Sequence, residues 1–168
     1  MDKYIAQVAG TLTEKAALAS SAGAGDAGKI PGLDGSGRLD PSFMPVGTDI
    51  EIQNLVATEA LNAGDFVNVW TSTGAKVRKA DASTSGKKAD GFVLASVSNG
   101  GTAAVYLAGI NTAVTSVTAG AEVFLSDTTP GGFTTTAPSG TGKTVQKIGV
   151  GLTTTAIDFK PTTTIVLA

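Results

Sequence analysis

From about residue 50 to its end, this 168-residue chain is cut into short β-favouring runs by closely spaced turn residues. Nothing else in the sequence constrains the fold as much. Residues 66–70 and 75–80 flank Thr71-Ser-Thr-Gly74, a hairpin signal with a glycine placed for positive φ. Residues 92–97 and 102–107 flank Asn99-Gly100, and residues 121–125 and 133–136 bracket Thr129-Pro130-Gly131-Gly132. Runs at 145–151, 156–159 and 163–167 complete the set. About nine short strands at this spacing predict an all-β domain, a small antiparallel sandwich or barrel. Thr triplets at 134–136, 153–155 and 162–164 suit exposed strand faces through their β-branching.

Composition agrees with that pattern and narrows the chemistry. Ala, Gly and Thr fill 71 positions, only nine residues are aromatic, and there is neither His nor Cys. Nucleophilic mechanisms that need His as base are excluded, and zinc, haem and iron–sulfur sites lack their usual ligands. Disulfides are excluded as well, so core and partners must supply the stability. We therefore expect no catalytic residues, no cofactor and no metal. The formal net charge is −2, so no global basic field points to nucleic acid. Residues 91–121 carry no charge, yet their longest purely apolar run is residues 103–110, far short of the ~20 a spanning helix needs. Neither a membrane segment nor a secretory signal is expected, since no apolar stretch develops after Lys3.

Two further zones precede the β pattern. Residues 1–20 place Tyr4, Val8, Leu12 and Ala16 at i, i+4 spacing, which suits a short helix. Gly10 weakens the helix, and a strand from residue 4 to residue 8 fits as well. Residues 21–49 hold seven Gly and three Pro and read as an extended arm. Such a segment cannot bury enough apolar surface to offset its ordering entropy, so a neighbouring chain must hold it. Its Ile30, Leu33, Leu39, Phe43 and Met44, with Tyr4 and Ile5 upstream, are the candidate contacts. The expected organisation is thus an arm, residues 1–49, and a β domain, residues 50–168. Within the domain two stretches, 63–109 and 119–168, echo one another. Ala63-Gly64 matches Ala119-Gly120, Val67 and Val69 match Val123 and Leu125, Gly91 matches Gly149, and Val105-x-Leu107 matches Ile165-x-Leu167.

Several motifs imitate active chemistry. Residues 137–144 end in Gly142-Lys143-Thr144 like a phosphate-binding loop, but β alternation follows where that loop requires a helix. Residues 23–30 mimic the same motif, and Pro31 blocks the helix. Asp34-Gly-Ser-Gly-Arg-Leu-Asp40 opens like a calcium loop, yet Arg38 and Pro45 stand at ligand positions, so a tight turn is expected. Five cations, Lys76, Arg78, Lys79, Lys87 and Lys88, fall within thirteen positions. Lys76 and Arg78 share one face of a strand and are candidates for docking on an acidic protein surface, against the plainer reading of a solvated hairpin. Trp70 reads as a core or interface anchor.

The run Gly28-Lys-Ile-Pro-Gly-Leu-Asp-Gly-Ser-Gly-Arg-Leu-Asp-Pro-Ser-Phe-Met-Pro45 resembles a segment recurring in tailed-bacteriophage virion proteins. Downstream, Ala63-Gly-Asp-Phe-Val67, Arg78-Lys-Ala-Asp81, Ala89-Asp-Gly-Phe-Val93 and Val145-Gln-Lys-Ile-Gly149 resemble the small β-rich head decoration, or capsid cement, proteins. The resemblance implies a non-enzymatic virion protein on the outer capsid surface. It would bind the major capsid protein, clamp neighbouring capsomers and self-associate as a homotrimer. A head- or tail-fibre module recognising a host glycan is the alternative, and it would use Trp70, Tyr106 and Phe133 open in a groove.

Overall fold

The computed structural model describes residues 3–35, 37–43 and 51–168. The protein is all-β: helical residues in the described regions are confined to two single 3-10 turns, Ala24–Asp26 and Pro41–Phe43. The chain forms two compact units, residues 1–49 and residues 50–168.

In the first unit the strand forms, not the helix. β1 (Lys3–Val8) and β2 (Thr11–Ala16) pair antiparallel across a two-residue turn. Ala9 and Gly10 both take positive φ, 49° and 85°, the geometry that lets a two-residue loop follow the twist of its strands. This pairing splits the expected helical stripe: Tyr4 and Val8 lie on one hairpin face, Leu12 and Ala16 on the other. The Gly/Pro-rich stretch after it is not drawn out at full length but closes two loops. Leu18 N–H donates to Ile30 O and Gly32 N–H to Leu18 O, at 2.9 and 2.7 Å. Leu33 then bridges Leu39 around a turn in which Asp34 and Arg38 are hydrogen-bonded. Among the described residues of this unit only Ala17 is buried.

The second unit holds both hydrophobic cores. β3 (Ile52–Ala57), β4 (Phe66–Ser72), β5 (Gly74–Lys79), β6 (Gly91–Val93) and β7 (Thr102–Tyr106) close a barrel in the order β3-β5-β4-β6-β7. Every contact in it is antiparallel except the closing one, where β3 runs parallel to β5 and pairs Val56 with Lys76 and Ala57 with Val77. Leu61, Val67, Val77, Val93 and Val105 fill the interior. β8 (Gly109–Asn111), β9 (Glu122–Leu125), β10 (Phe133–Thr134), β12 (Lys147–Thr153) and β13 (Ala156–Phe159) form an open sheet, ordered β10-β9-β12-β13-β8. A two-stranded ribbon joins β11 (Thr144–Val145) to β14 (Ile165–Val166).

Strand alternation ties the barrel to the sheet. On β4, Val67 points into the barrel and Phe66 away from it; on β6, Val93 points in and Phe92 out. Phe66 and Phe92 meet Phe159 of β13, with ring centroids 5.7 and 5.6 Å apart. The barrel wall therefore serves two cores. With so few large side chains, the second core depends on close backbone approach. A Cβ on Gly149 would stand 2.1 Å from Asp158 O, and one on Gly151 2.3 Å from Thr118 O.

Barrel and sheet share one strand order, since β5-β4-β6-β7-β3 corresponds to β10-β9-β12-β13-β8. Register agrees residue by residue at one point: Val67 lies opposite Gly91, and Val123 opposite Gly149. The sequence match of Val105-x-Leu107 to Ile165-x-Leu167 is not the one the strands make. Val93 pairs with Val105 and Gly151 with Ile157, so the counterpart of Val105 is Ile157, while Ile165 belongs to the ribbon. Any apolar-x-apolar triplet satisfies a strand pattern, and the tight β12–β13 turn, with Gly151 and Ile157 six residues apart where Val93 and Val105 are twelve apart, moves the true counterpart upstream. The two sheets differ in closure: β3 meets β5, whereas β8 and β10 remain at opposite ends.

Candidate docking surface

The candidate contacts divide between the two units. In the first, Tyr4 is half-buried on one hairpin face and Ile5, 64% exposed, is on the other. Ile30 is exposed, Leu33 and Leu39 are exposed and bridged to each other, and Phe43 is half-buried. Met44 lies outside the described residues. Sequence reasoning passed over Val8 and Leu12 as contacts, although Leu12 is 73% exposed. Their alternation with polar neighbours on β1 and β2 was the available signal.

In the second unit the structure brings Lys76 and Arg78 together on the outer face of β5, opposite Trp70 and Asn68 of β4. What Arg78 does there is largely internal. Its Nε donates to Asn68 Oδ1 at 2.9 Å and its Nη2 to Gly86 O at 3.1 Å. Its guanidinium lies 4.8 Å from the Trp70 ring centroid, within cation–π range. Asn68, nearly fully buried, passes the network on, donating through Nδ2 to Asp90 Oδ2 at 2.9 Å. The same oxygen accepts Val69 N–H at 3.0 Å. Lys88 pairs with Asp90, Lys87 with Asp81 and Lys79 with Asp65. Of the five clustered cations, only Lys76 has, among the described residues, neither a partner carboxylate nor a hydrogen bond of its side chain. The basic cluster thus mainly pins loops to the barrel.

Two adjoining grooves run beside this network, sharing Lys88 and Thr164. The larger, about 400 Å³, is walled by Asp90, Gln146 and the Thr162-Thr163-Thr164 triplet; the smaller, about 230 Å³, by Asn68, Val69 and Val166. Both are polar. Trp70, Tyr106 and Phe133 line neither groove: Trp70 is covered by Arg78 and donates to Thr58 Oγ1, Tyr106 stacks on Phe92, and Phe133 packs on the second core.

The imitation motifs resolve into turns. Gly140 and Gly142 take positive φ, Lys143 forms an ion pair with Asp127, and Thr144 enters β11. No helix follows to present N–H groups to a phosphate. In the loop at 23–30, Lys29 pairs with Asp26. These bonds hold the carboxyls of Asp127 and Asp26 below the usual carboxylate range, first through the lysine hydrogen bond; Asp40 is lowered by Ser42. Among the described residues, no group of three or more acidic side chains is placed to hold a metal ion. No family model, curated protein or solved structure matches the chain.

Proposed function

We propose that the protein is a structural component of a bacteriophage virion, a decoration protein that binds the outside of the capsid and clamps neighbouring capsomers. The observation that carries this reading is the character of the first unit. It presents six exposed large apolar side chains, Ile5, Val8, Leu12, Ile30, Leu33 and Leu39, and among its described residues only Ala17 is buried. The sheet among its described residues is a two-stranded hairpin with every residue of β2 exposed. An isolated hairpin is marginal in water, and exposed apolar surface of this kind is stabilised by a partner. The second unit, by contrast, encloses two cores of its own. One unit that folds by itself and one that needs a surface to lie on make an adhesive protein, and the motifs at residues 28–45 and 63–93 point to the phage head as that surface.

A partner that binds only the folded state stabilises it by mass action, and the linkage acts in both directions. Purified protein added to undecorated capsids should bind in saturable amounts and raise their disruption temperature. The same experiment with residues 50–168 alone should lose most of the binding. Capsids that take up no protein, or whose disruption temperature does not move, would refute the proposal.

A further inference from the structure

Ala57 fastens two parts of the barrel with its main chain. Residues 98–101, Ser-Asn-Gly-Gly, form the turn that leads into β7, with Gly101 N–H donating to Ser98 O at 2.9 Å. Gly100 takes φ +82° while Asn99 keeps a negative φ, so the turn is of type II, which needs glycine at its third position. Gly100 N–H donates to Ala57 O at 2.8 Å, and Ala57 N–H donates to Gly101 O at 2.9 Å. Ala57 is the last residue of β3, 1% exposed, and it pairs with Val77 in the short parallel contact that closes the barrel. Turn and barrel seam therefore share one clamp.

The chain has five asparagines, and Asn99 alone is followed by glycine. An amide nitrogen that no side chain shields is the nucleophile best able to reach the Cγ of the asparagine before it. Gly100 N attacks Asn99 Cγ, a five-membered succinimide closes, and the side-chain nitrogen leaves as ammonia. Water then opens the ring at either carbonyl, giving aspartate or isoaspartate; the net change is one water taken up and one ammonia lost. Asn99 is exposed, and among the described residues no hydrogen bond holds its side chain. What restrains the reaction is the nucleophile. Gly100 N is held by Ala57 O, and the ψ of about +120° that a type II turn gives its second residue must rotate before the ring can close.

We infer that Asn99 is a deamidation site gated by the barrel seam: it reacts when β3 releases β5 and the turn, and not while Ala57 clamps Gly100. Local openings require less free energy than global unfolding, and a reaction slower than reclosing follows the population of the open form. β3 is suited to open first, since it pairs with β5 only through Val56 and Ala57 and its residues 52–54 are exposed. The product resists reclosure. Isoaspartate adds a methylene carbon to the main chain just before Gly100 and displaces the N–H that Ala57 accepts. Either product also places a carboxylate within residues 91–121, which carry no charge. Opening is thereby recorded in the covalent structure.

The test follows the whole protein in mildly alkaline buffer by mass spectrometry of the peptide that contains Asn99, scoring the exchange of –NH₂ for –OH. In guanidinium chloride, with the chain unfolded, Asn99 should convert, and in native buffer at least ~tenfold more slowly. Asn99→Gln should abolish the mass change, because glutamine must close a larger ring. Val77→Ala, which thins the seam, should speed native conversion at least ~threefold and leave the rate in guanidinium unchanged. Phe159→Ala, whose loss falls in the second core, should speed it less for the same drop in unfolding midpoint. Circular dichroism establishes that each variant is folded. Equal rates in native buffer and guanidinium, or no conversion in guanidinium, would overturn the inference. So would a Phe159→Ala protein that matches Val77→Ala, since the gate would then be global unfolding and not the seam.

Discussion

Gln146 holds Ala89 by both of its main-chain groups: its Oε1 accepts Ala89 N–H at 2.7 Å and its Nε2 donates to Ala89 O at 3.0 Å. The side-chain amide acts here as one more strand residue, and both partners are about 2% exposed. Gln146→Leu keeps the volume and strands a buried donor and a buried acceptor, at about 1–3 kcal/mol each. The variant should lose about 3 kcal/mol in urea unfolding. A loss below about 1 kcal/mol would mean that water reaches Ala89.

Gly149 is required by space and not by dihedral angle. A methyl group there would stand 2.1 Å from Asp158 O, a backbone atom that cannot swing aside. Gly120 has φ +77° and open surroundings, so alanine there meets strain alone. Gly120→Ala should cost about 1–2 kcal/mol, the penalty of a left-handed residue. Gly149→Ala should cost about 3 kcal/mol or more through overpacking and a broken ladder. Denaturant midpoints of the two variants give the order, and the reverse order would contradict the strand packing.

How much of this was legible follows strand by strand. The β4–β5 hairpin was readable because Val67 and Val77 alternate with polar outward residues around Gly74. β3 was missed because only its end is buried: residues 52–54 are exposed, so Ile52, Gln53 and Asn54 carry no core-facing alternation. β8 was missed because three residues ending in a buried polar Asn111 give no apolar pattern at all. The exposed apolar side chains of the arm were visible as residue types. The role of Arg78 was not. Lys76 and Arg78 look alike in a period of two, and only the folded loop brings Gly86 O to the guanidinium.

Phe159 is the aromatic link between sheet and barrel, touching both Phe66 and Phe92. Phe159→Ala removes a fully enclosed ring and both ring contacts, and large-to-small changes of this kind cost about 3–5 kcal/mol. Phe159→Leu should cost distinctly less, since much of the volume remains. Thermal unfolding of the three proteins should rank them in that order. If alanine at 159 lowers the midpoint no more than leucine does, the second core does not depend on this ring.

Asp127 and Lys143 fasten the loop at 137–144. The lysine hydrogen bond lowers the Asp127 carboxyl from its ordinary value. A carboxyl whose folded pKa is depressed contributes stability above its unfolded pKa, about 3.9 for aspartate, and loses it as pH falls through the lower folded value. Asp127→Asn should therefore be less stable than the unmodified protein at pH 7, with the gap closing below about pH 4. Urea midpoints measured from pH 7 to pH 3 trace it. A gap that stays constant across that range would assign the effect to packing and not to charge.

Arg78 separates a loop pin from a docking contact. If it pins the loop, a change there must register in the isolated protein, because Asn68 Oδ1 and Gly86 O each lose a donor and Trp70 loses its cover. Arg78→Lys retains the charge but not the planar fork that reaches two acceptors at once. It should cost about 1–2 kcal/mol, the range of one or two charge-assisted hydrogen bonds. The chain has a single tryptophan, so fluorescence reports this site alone, and emission from Trp70 should shift to longer wavelength as the ring is uncovered. Lys76→Ala should leave stability nearly unchanged, since among the described residues that side chain has no hydrogen-bond or ion-pair partner to lose. Lys76→Ala with full stability and weakened capsid binding, beside Arg78→Lys with lowered stability, would divide the two neighbouring cations between contact and scaffold. An Arg78→Lys protein with unaltered stability and emission would return Arg78 to the docking surface.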